Sequence, residues 1–349
     1  MSNPGVKCVV WDLDNTMWEG ILLEDASVRL KPRIREVLES LDRRGILHSI
    51  ASRNDRDLAM AKLREFGIAE YFLYPEIRWD AKSVSLGNIK KNLDIGYDTI
   101  LFLDDQPFDR DEVASVHGEV WCLDSCQYLE IVEHPRLNPK YVTRDSALRR
   151  RMYLDDIARR NEEDAFVGPK EGFLRQLNMV FEISEAQEAD LARAEELTYR
   201  TNQLNATGEK YTVESLDAMR RDGRHKILVC ELEDKYGSYG KIGLALVERA
   251  SETWNLKLLL FSCRVLSAGV GGVLLTYLRN AAREHRVRLL ADFRDTGRNR
   301  MMRVTYMVAG FAEQAQRDDG FAVLENNLTD VPPLPDFLDI RINVNWSAS

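Results

Sequence analysis

The chain has 349 residues, 44% of them hydrophobic and 30% charged, with a formal net charge of −9. A single core rarely grows to that size, so two domains are expected. The acidic balance argues against a broad nucleic-acid-binding face, although it leaves room for one basic patch that docks an acidic partner. No stretch reads as a signal peptide or membrane span, because runs such as 257–261 and 270–275 are short or broken by glycine. A cytoplasmic protein without membrane or nucleic-acid partners is therefore expected. Five scattered cysteines, Cys8, Cys122, Cys126, Cys230 and Cys263, are expected as free thiols, one of which could be catalytic. Cys122 and Cys126 lack a second pair at zinc-site spacing.

In chain order, residues 6–11 form a short apolar run that ends in acidic residues. Residues 32–44 read as a helix, with Pro32 at its start and Gly45 just past its end. Residues 47–51 read as a strand, 56–66 as a helix stopped by Gly67, and 81–93 as a further helix. Residues 99–103 read as a third buried strand, ending in Asp104 and Asp105. This alternation predicts a parallel sheet with helices on both faces. The chemistry of such sheets collects outside the carboxyl ends of the strands, where Asp12, Ser52, Asp104 and Asp105 all fall. Residues 131–178 read as a connector broken by Pro135 and Pro139, with a charged, solvated helix over 146–163. From residue 179 the order changes. Strand 180–183 and helices 187–201 and 212–221 are followed by strands 226–232, 242–248 and 254–261. A helix over 270–285 is entered through glycines, then come strand 287–291 and helix 298–308. This does not repeat the first half, so the expected plan is 1–130, connector 131–178, and a different α/β domain over 179–345.

The segment Asp12-Leu-Asp14-Asn-Thr16 directly follows the first strand. Phosphoryl transfer to a carboxylate needs an in-line nucleophilic oxygen, an acid for the leaving group and a cation to offset the phosphate. Side chains at i and i+2 of a strand share a face, but only a turn past the strand end lets Asp12 and the Asp14 backbone carbonyl share one Mg²⁺ while the Asp14 side chain serves as acid/base. Thr16, Ser52, Arg53, Asn54 and Lys82 are candidate phosphate ligands, and Asp104 and Asp105 candidate metal ligands. Each piece alone has a plain reading. Asp-x-Asp is common in turns, Ser52-Arg-Asn-Asp could cap the next helix, Asp-Asp-x-Pro could be a turn, and Lys82 could be a solvated surface residue. The signal is their co-occurrence after three successive buried strands.

These residues resemble the haloacid-dehalogenase superfamily. The resemblance implies that Asp12 forms an aspartyl-phosphate, that Asp14 is the acid/base, and that Asp105 rather than Asp104 gives the main metal bond. The intervals 17–51 and 53–81 are too short for a cap domain, so an open phosphate site is expected.

The second half resembles the GCN5-related acetyltransferase fold. In that fold a strand, a glycine-bearing turn and a helix start hold the pyrophosphate and pantetheine of coenzyme A. Here the turn is Cys263-Arg-Val-Leu-Ser-Ala-Gly269-Val-Gly271-Gly272, with Leu266 where the family usually has a basic residue. Gly-x-Gly-Gly alone could reflect only close helix packing. Cys263 stands beside Arg264 and near a helix start, both of which favour a thiolate, although a buried apolar cysteine is the commoner role. His225 and His285 are the histidines available to it within the domain. Asn202, Gln203 and Asn205, with Arg264, Gly269 and Gly271, are candidate acyl- or pantetheine-binding residues, and the amides could equally cap the preceding helix. Residues 236–240 read as a hairpin turn.

Taken together, Trp-Asp-Leu-Asp-Asn-Thr-Met-Trp-Glu-Gly, Leu-Asp-Asp-Gln-Pro-Phe, Arg-Thr-Asn-Gln-Leu-Asn and Ser-Cys-Arg-Val-Leu resemble the FkbH-like family over residues 6–311. The resemblance implies a Rossmann-like haloacid-dehalogenase domain without a large cap, joined to an acetyltransferase-like α/β domain. It implies Mg²⁺-dependent transfer of a glyceryl unit from 1,3-bisphosphoglycerate, as a thioester, to an acyl carrier protein feeding polyketide biosynthesis. A small-molecule phosphatase with an accessory binding domain is the alternative.

Overall fold

The computed structural model describes residues 4–262 and 270–346. Cys263, Arg264 and Gly269 lie outside the described residues. The chain divides into two compact units, Met1–Ile157 and Ala158–Ser349.

The first unit is built on five strands: β1 (Cys8–Trp11), β4 (Leu47–Ser52), β5 (Glu76–Ile77), β6 (Ile100–Asp104) and β7 (Trp121–Asp124). A small hairpin, β2 (Trp18–Glu19) with β3 (Arg29–Leu30), follows β1. The sheet order is β5-β4-β1-β6-β7, parallel throughout. Every residue of β1, β4 and β6 is buried, which is why β1 and most of β6 read as unbroken apolar runs rather than alternating ones, while β4 also buries His48, Ser49 and Ser52. Helix α1 (Ile34–Arg43) buries Ile34, Val37, Leu38 and Leu41, one stripe at helical spacing. Gly45, with φ +70°, ends it, and a Cβ there would lie 2.7 Å from the Ser146 carbonyl, so only glycine fits. Helices α2 (Arg56–Glu65), α3 (Lys82–Leu93) and α4 (Pro107–Val116) complete the alternation. The chain leaves β1 toward β4 on one side and later returns to β6 on the other. β1 is therefore the switch point of the sheet, the place where such folds open a crevice.

Residues 131–178 do not form a separate connector. Ile131 and Leu137 belong to the first core, and Phe173, Leu174 and Leu177 to the second. Two helices replace the single one expected over 146–163: α5 (Arg144–Ala147) and α6 (Arg149–Ala165). The first turns of α6 are anchored rather than solvated. Arg150 grips Asp42 through two bonds of 2.9 and 3.1 Å, and the Tyr153 hydroxyl donates to the Leu93 carbonyl at 3.0 Å.

The second unit adds α7 (Lys170–Gln176) and an eight-stranded sheet. In chain order come β8 (Met179–Glu185), α8 (Leu191–Arg200), α9 (Val213–Arg221), β9 (His225–Asp234), β10 (Gly237–Arg249), β11 (Thr253–Phe261), α10 (Val273–Glu284), β12 (Arg288–Phe293), α11 (Arg300–Val308), β13 (Phe311–Gln316), β14 (Ala322–Asn326) and β15 (Leu338–Asn343). The sheet order is β13-β14-β12-β11-β10-β9-β8-β15. β11 and β12 are parallel, joined by the crossover helix α10, but they pair only from Thr253–Arg288 to Leu256–Ala291. Beyond that point they part. The segment 204–206 fills the opening: the Ala206 N–H donates to Leu259 and the Phe261 N–H to Leu204, both at 3.0 Å.

Candidate functional site

The first site is assembled from the carboxyl ends of β1, β4 and β6. The Asp12 N–H donates to the Leu103 carbonyl at 2.9 Å, which ties the nucleophile candidate to the neighbouring strand. Asn15 takes φ 53°, a left-handed turn that asparagine tolerates. The Thr16, Met17 and Trp18 N–H groups then fold back onto the Leu13 carbonyl at 3.1, 2.8 and 3.3 Å.

Asp12, Asp104 and Asp105 bring carboxylate oxygens within 4.8 Å of one another. Asp12 and Asp104 are buried and Asp105 half-buried. Lys82, the first residue of α3 and itself 2% exposed, bonds Asp12 Oδ1, the Ala51 carbonyl at 2.8 Å and Asp104 Oδ2 at 3.0 Å. Burial opposes the Lys82 charge, but Asp12 and Asp104 outweigh it and hold its pKa above the ordinary value. Burial and the Asp12 charge push Asp104 up to about 6, against Lys82, and the same two causes raise Asp105. Three crowded carboxylates share one ammonium, which leaves about two negative charges without a counter-charge when all are ionised. That all-oxygen donor set and that imbalance fit a divalent cation such as Mg²⁺. Both Asp104 and Asp105 belong to the cluster; Asp105 is not bonded to Lys82 and instead accepts from Thr16 at 3.4 Å and from the Gln106 amide at 2.5 Å.

Asp14 stands apart from that cluster. Its Oδ1 accepts from the Trp18 indole at 2.8 Å and the Leu22 N–H at 3.0 Å, and its Oδ2 from the Asn54 amide at 2.9 Å. Burial nonetheless pushes its carboxyl above the ordinary range, against these bonds. A carboxyl held in place and raised in this way suits an acid/base group.

The expected phosphate ligands separate. Ser52, at the end of β4, is 2% exposed, and Lys82 is bonded to Asp12 and Asp104. Thr16 is committed to Asp105, accepting from its N–H at 3.1 Å and donating to its Oδ1 at 3.4 Å. Asn54 is committed to Asp14, and Arg53 turns to the Asp80 carbonyl at 3.3 Å and to Asp109 at 2.8 Å. Sequence reasoning missed Trp18 as a donor to Asp14; four residues past it and inside the conspicuous Trp-Glu-Gly run, it carried a visible signal.

In the second unit the expected acyl-binding amides do not form a group. Asn205 is fully buried. Its Oδ1 accepts from the Thr207 and Gly208 N–H groups at 3.1 and 2.8 Å, and its amide reaches the Glu209 carbonyl at 3.4 Å. These are turn-stabilising bonds, the local role expected of asparagine. Asn202 and Gln203 are exposed. Asn299, which the sequence did not single out, staples the segment. Its amide donates to the Asn205 and Arg294 carbonyls at 2.9 Å and to the Ala206 carbonyl at 3.3 Å. Gly271 and Gly272 precede α10, and a Cβ on either would meet nothing within 4 Å, so close helix packing does not explain them. His225 is paired with Asp222 at 2.6 Å, while His285 bonds the Ala281 carbonyl at 2.9 Å and lies against Trp254. Among the described cysteines, burial raises the Cys8 and Cys230 thiols and pushes Cys122 up to about 11. The exposed Cys126 is raised by its Asp124 partner.

The first unit is thus a Rossmann-like α/β domain around a five-stranded parallel sheet, and the second a different α/β domain around an eight-stranded mixed sheet. No protein-family model matches the sequence, and no curated protein matches it. Among solved structures, the chain is similar to the N-terminal part of the protein BF1531 from Bacteroides fragilis, containing a phosphatase domain complexed with Mg. The identity is 26%, over 38% of this chain and 40% of that one, with TM-score 0.35; the chain thus covers less than half of that relative. It is also similar to the ribosomal-protein-S18-alanine N-acetyltransferase of Escherichia coli, at 16% identity over 42% of this chain and 93% of that one, TM-score 0.34. A third likeness is to Ard1 from Thermoplasma volcanium, at 15% identity over 42% and 95% of the two chains, TM-score 0.32. Among the described residues no helix is long and apolar enough to cross a membrane.

Proposed function

We propose that the chain is a Mg²⁺-dependent enzyme that removes an ester phosphate through Asp12 and passes the remaining acyl unit, as a thioester, to an acyl carrier protein. The observation that carries the phosphoryl half is the Asp12–Lys82–Asp104–Asp105 cluster at the switch point of the parallel sheet. Asp12, Asp104 and Asp105 would hold the Mg²⁺, which supplies charge neutralisation of the phosphate oxygens. An Asp12 carboxylate oxygen attacks phosphorus, the ester oxygen leaves and takes the Asp14 proton, and an aspartyl-phosphate forms. Water then attacks that phosphorus with Asp14 as base, releasing phosphate and restoring Asp12. Lys82 holds the nucleophile and faces the transferred phosphate.

The FkbH-like motifs nominate 1,3-bisphosphoglycerate as donor, and its chemistry divides the labour. Cleaving the acyl phosphate at phosphorus would release a free carboxylate and lose the activation. A thioester survives only if a thiolate attacks the acyl carbon and phosphate leaves. Asp12 therefore acts on the ester phosphate, and Cys263, or the carrier's pantetheine thiol, takes the acyl group; transfer between two thioesters is nearly thermoneutral. The raised thiols of the described cysteines leave them poorly suited to this role.

Incubation with Mg²⁺, the donor and a pantetheinylated carrier tests the proposal by intact mass. A glyceryl gain on the carrier supports it, and Cys263→Ser should abolish any glyceryl-enzyme adduct; unchanged loading in that variant removes the relay but not the function. The second reading, a phosphatase with an accessory binding domain, is favoured by the commitment of Asn205 to its own turn. It predicts phosphate release with no mass gain on the carrier.

A further inference from the structure

Arg53 lies between two residues of the phosphoryl site, Ser52 and Asn54, but its side chain leaves the carboxylate cluster. Its Nε donates to the Asp80 carbonyl at 3.3 Å, two residues before Lys82. Its Nη1 sits 2.8 Å from Asp109 Oδ1, in the first turn of α4, whose preceding residue Gln106 donates its N–H to Asp104 at 2.8 Å. The guanidinium is thus suspended between the loops that deliver Lys82 and the two late acids. The Asp109 contact is one of charge rather than an aligned hydrogen bond, since Oδ1 of this 6% exposed residue accepts none. Nη2 bonds no described residue, and the Arg53 side chain is 34% exposed. Beside its two anchors stand Trp79 and Phe108, 67% and 72% exposed. A forked donor held at Nε and Nη1, with Nη2 bonding no described residue, is suited to grip a planar or tetrahedral anion. The transferred phosphate already has Lys82 at the nucleophile.

We infer that Arg53 binds a second anionic group of the substrate, a carboxylate or a second phosphate, beside the phosphate that Asp12 accepts. This rests on the phosphoryl-transfer reading above and assigns recognition of the substrate's second anionic group to one residue; a simple monophosphate of a neutral alcohol is the poorer substrate. Arg53 acts by binding and enters through KM rather than through the chemical step.

The test compares 3-phosphoglycerate with glycerol 3-phosphate, which differ by a carboxylate, as substrates for the full chain in Mg²⁺. The wild-type protein should favour the carboxylate-bearing ester at least tenfold in kcat/KM. In Arg53→Gln that preference should collapse toward unity, through KM for the carboxylate-bearing ester. Arg53→Lys, which keeps the charge and loses the fork, should fall between and guards against a folding defect. Turnover with an unchanged preference in both variants overturns the assignment alone. An equal loss on both esters also overturns it, by making Arg53 structural. If the wild-type protein hydrolyses neither ester, the assignment and the phosphoryl-transfer reading fall together.

Discussion

The buried polar groups of the two units are balanced in opposite ways. At the end of β1, Asp12 and Asp104 share a single ammonium with Asp105 close by, and burial together with the Asp12 charge raises the pKa of both Asp104 and Asp105. At the opening between β11 and β12, Asn205 and Asn299 are closed onto backbone groups of their own segment. The first arrangement costs folding energy until something outside the chain supplies charge. The second stabilises the fold and asks nothing of a ligand. Conspicuous polar residues thus divide by whether their partners lie within the chain.

The sharpest break of that comparison is Asp12→Asn. It should cut kcat for phosphate-ester hydrolysis by about 10⁴-fold or more, yet leave the melting temperature equal or higher, because one of the crowded carboxylates is gone. Asp14→Asn should lower kcat by about 10²- to 10⁴-fold, the usual range for a general acid/base; steady-state kinetics on the two variants checks both. Asn205→Ala should show the reverse behaviour. Urea unfolding should report a loss of about 1–3 kcal/mol from the stranded Thr207 and Gly208 N–H groups, with phosphate-ester hydrolysis unaltered.

His48 extends the contrast to pH. It is fully buried on β4, accepts from the Trp11 indole at 3.1 Å through Nδ1, and sits 3.2 Å from the Leu38 carbonyl through Nε2. Burial lowers its pKa to about 4. Its folded value lies below its unfolded one of about 6.5, so the unfolded chain takes up the proton first. Stability from this residue is full above pH ~6.5 and drains as pH falls toward 4, by on the order of 3 kcal/mol. Unfolding measured between pH 7 and 4.5 should show this slope, reduced in His48→Gln.

Much of the first unit was legible because parallel strands buried on both faces leave largely apolar runs, as in β1 and β6, and the residues at the end of each strand fall at the sheet's reactive edge. What stayed hidden was where the side chains spend their bonds. Thr16 and Asn54 look like phosphate ligands in sequence, but are committed to Asp105 and Asp14. α4 was masked by Asp-Gln-Pro, which reads equally as a turn, although Pro107 opens the helix. β7 is short and only half-buried. In the second unit the order of elements from β8 to α11 followed from the pattern, whereas β13, β14 and β15 did not. β13 and β15 lie at the sheet edges and are mostly exposed or half-exposed; β13 lacks the apolar alternation that marks a strand, whereas β15, with Leu338, Ile340 and Ile342, carries it. Asn205 gave no local sign that it would be buried by strands brought close only in the fold.

The most direct measurement is calorimetric titration of Mg²⁺ into the full chain in the absence of substrate. One site on the wild-type protein, lost or greatly weakened in Asp12→Asn and Asp105→Asn and kept in Asn205→Ala, is the predicted result. Absence of Mg²⁺ binding to the wild-type protein, or binding that survives both aspartate substitutions unchanged, would contradict a carboxylate cluster built to be completed by a cation.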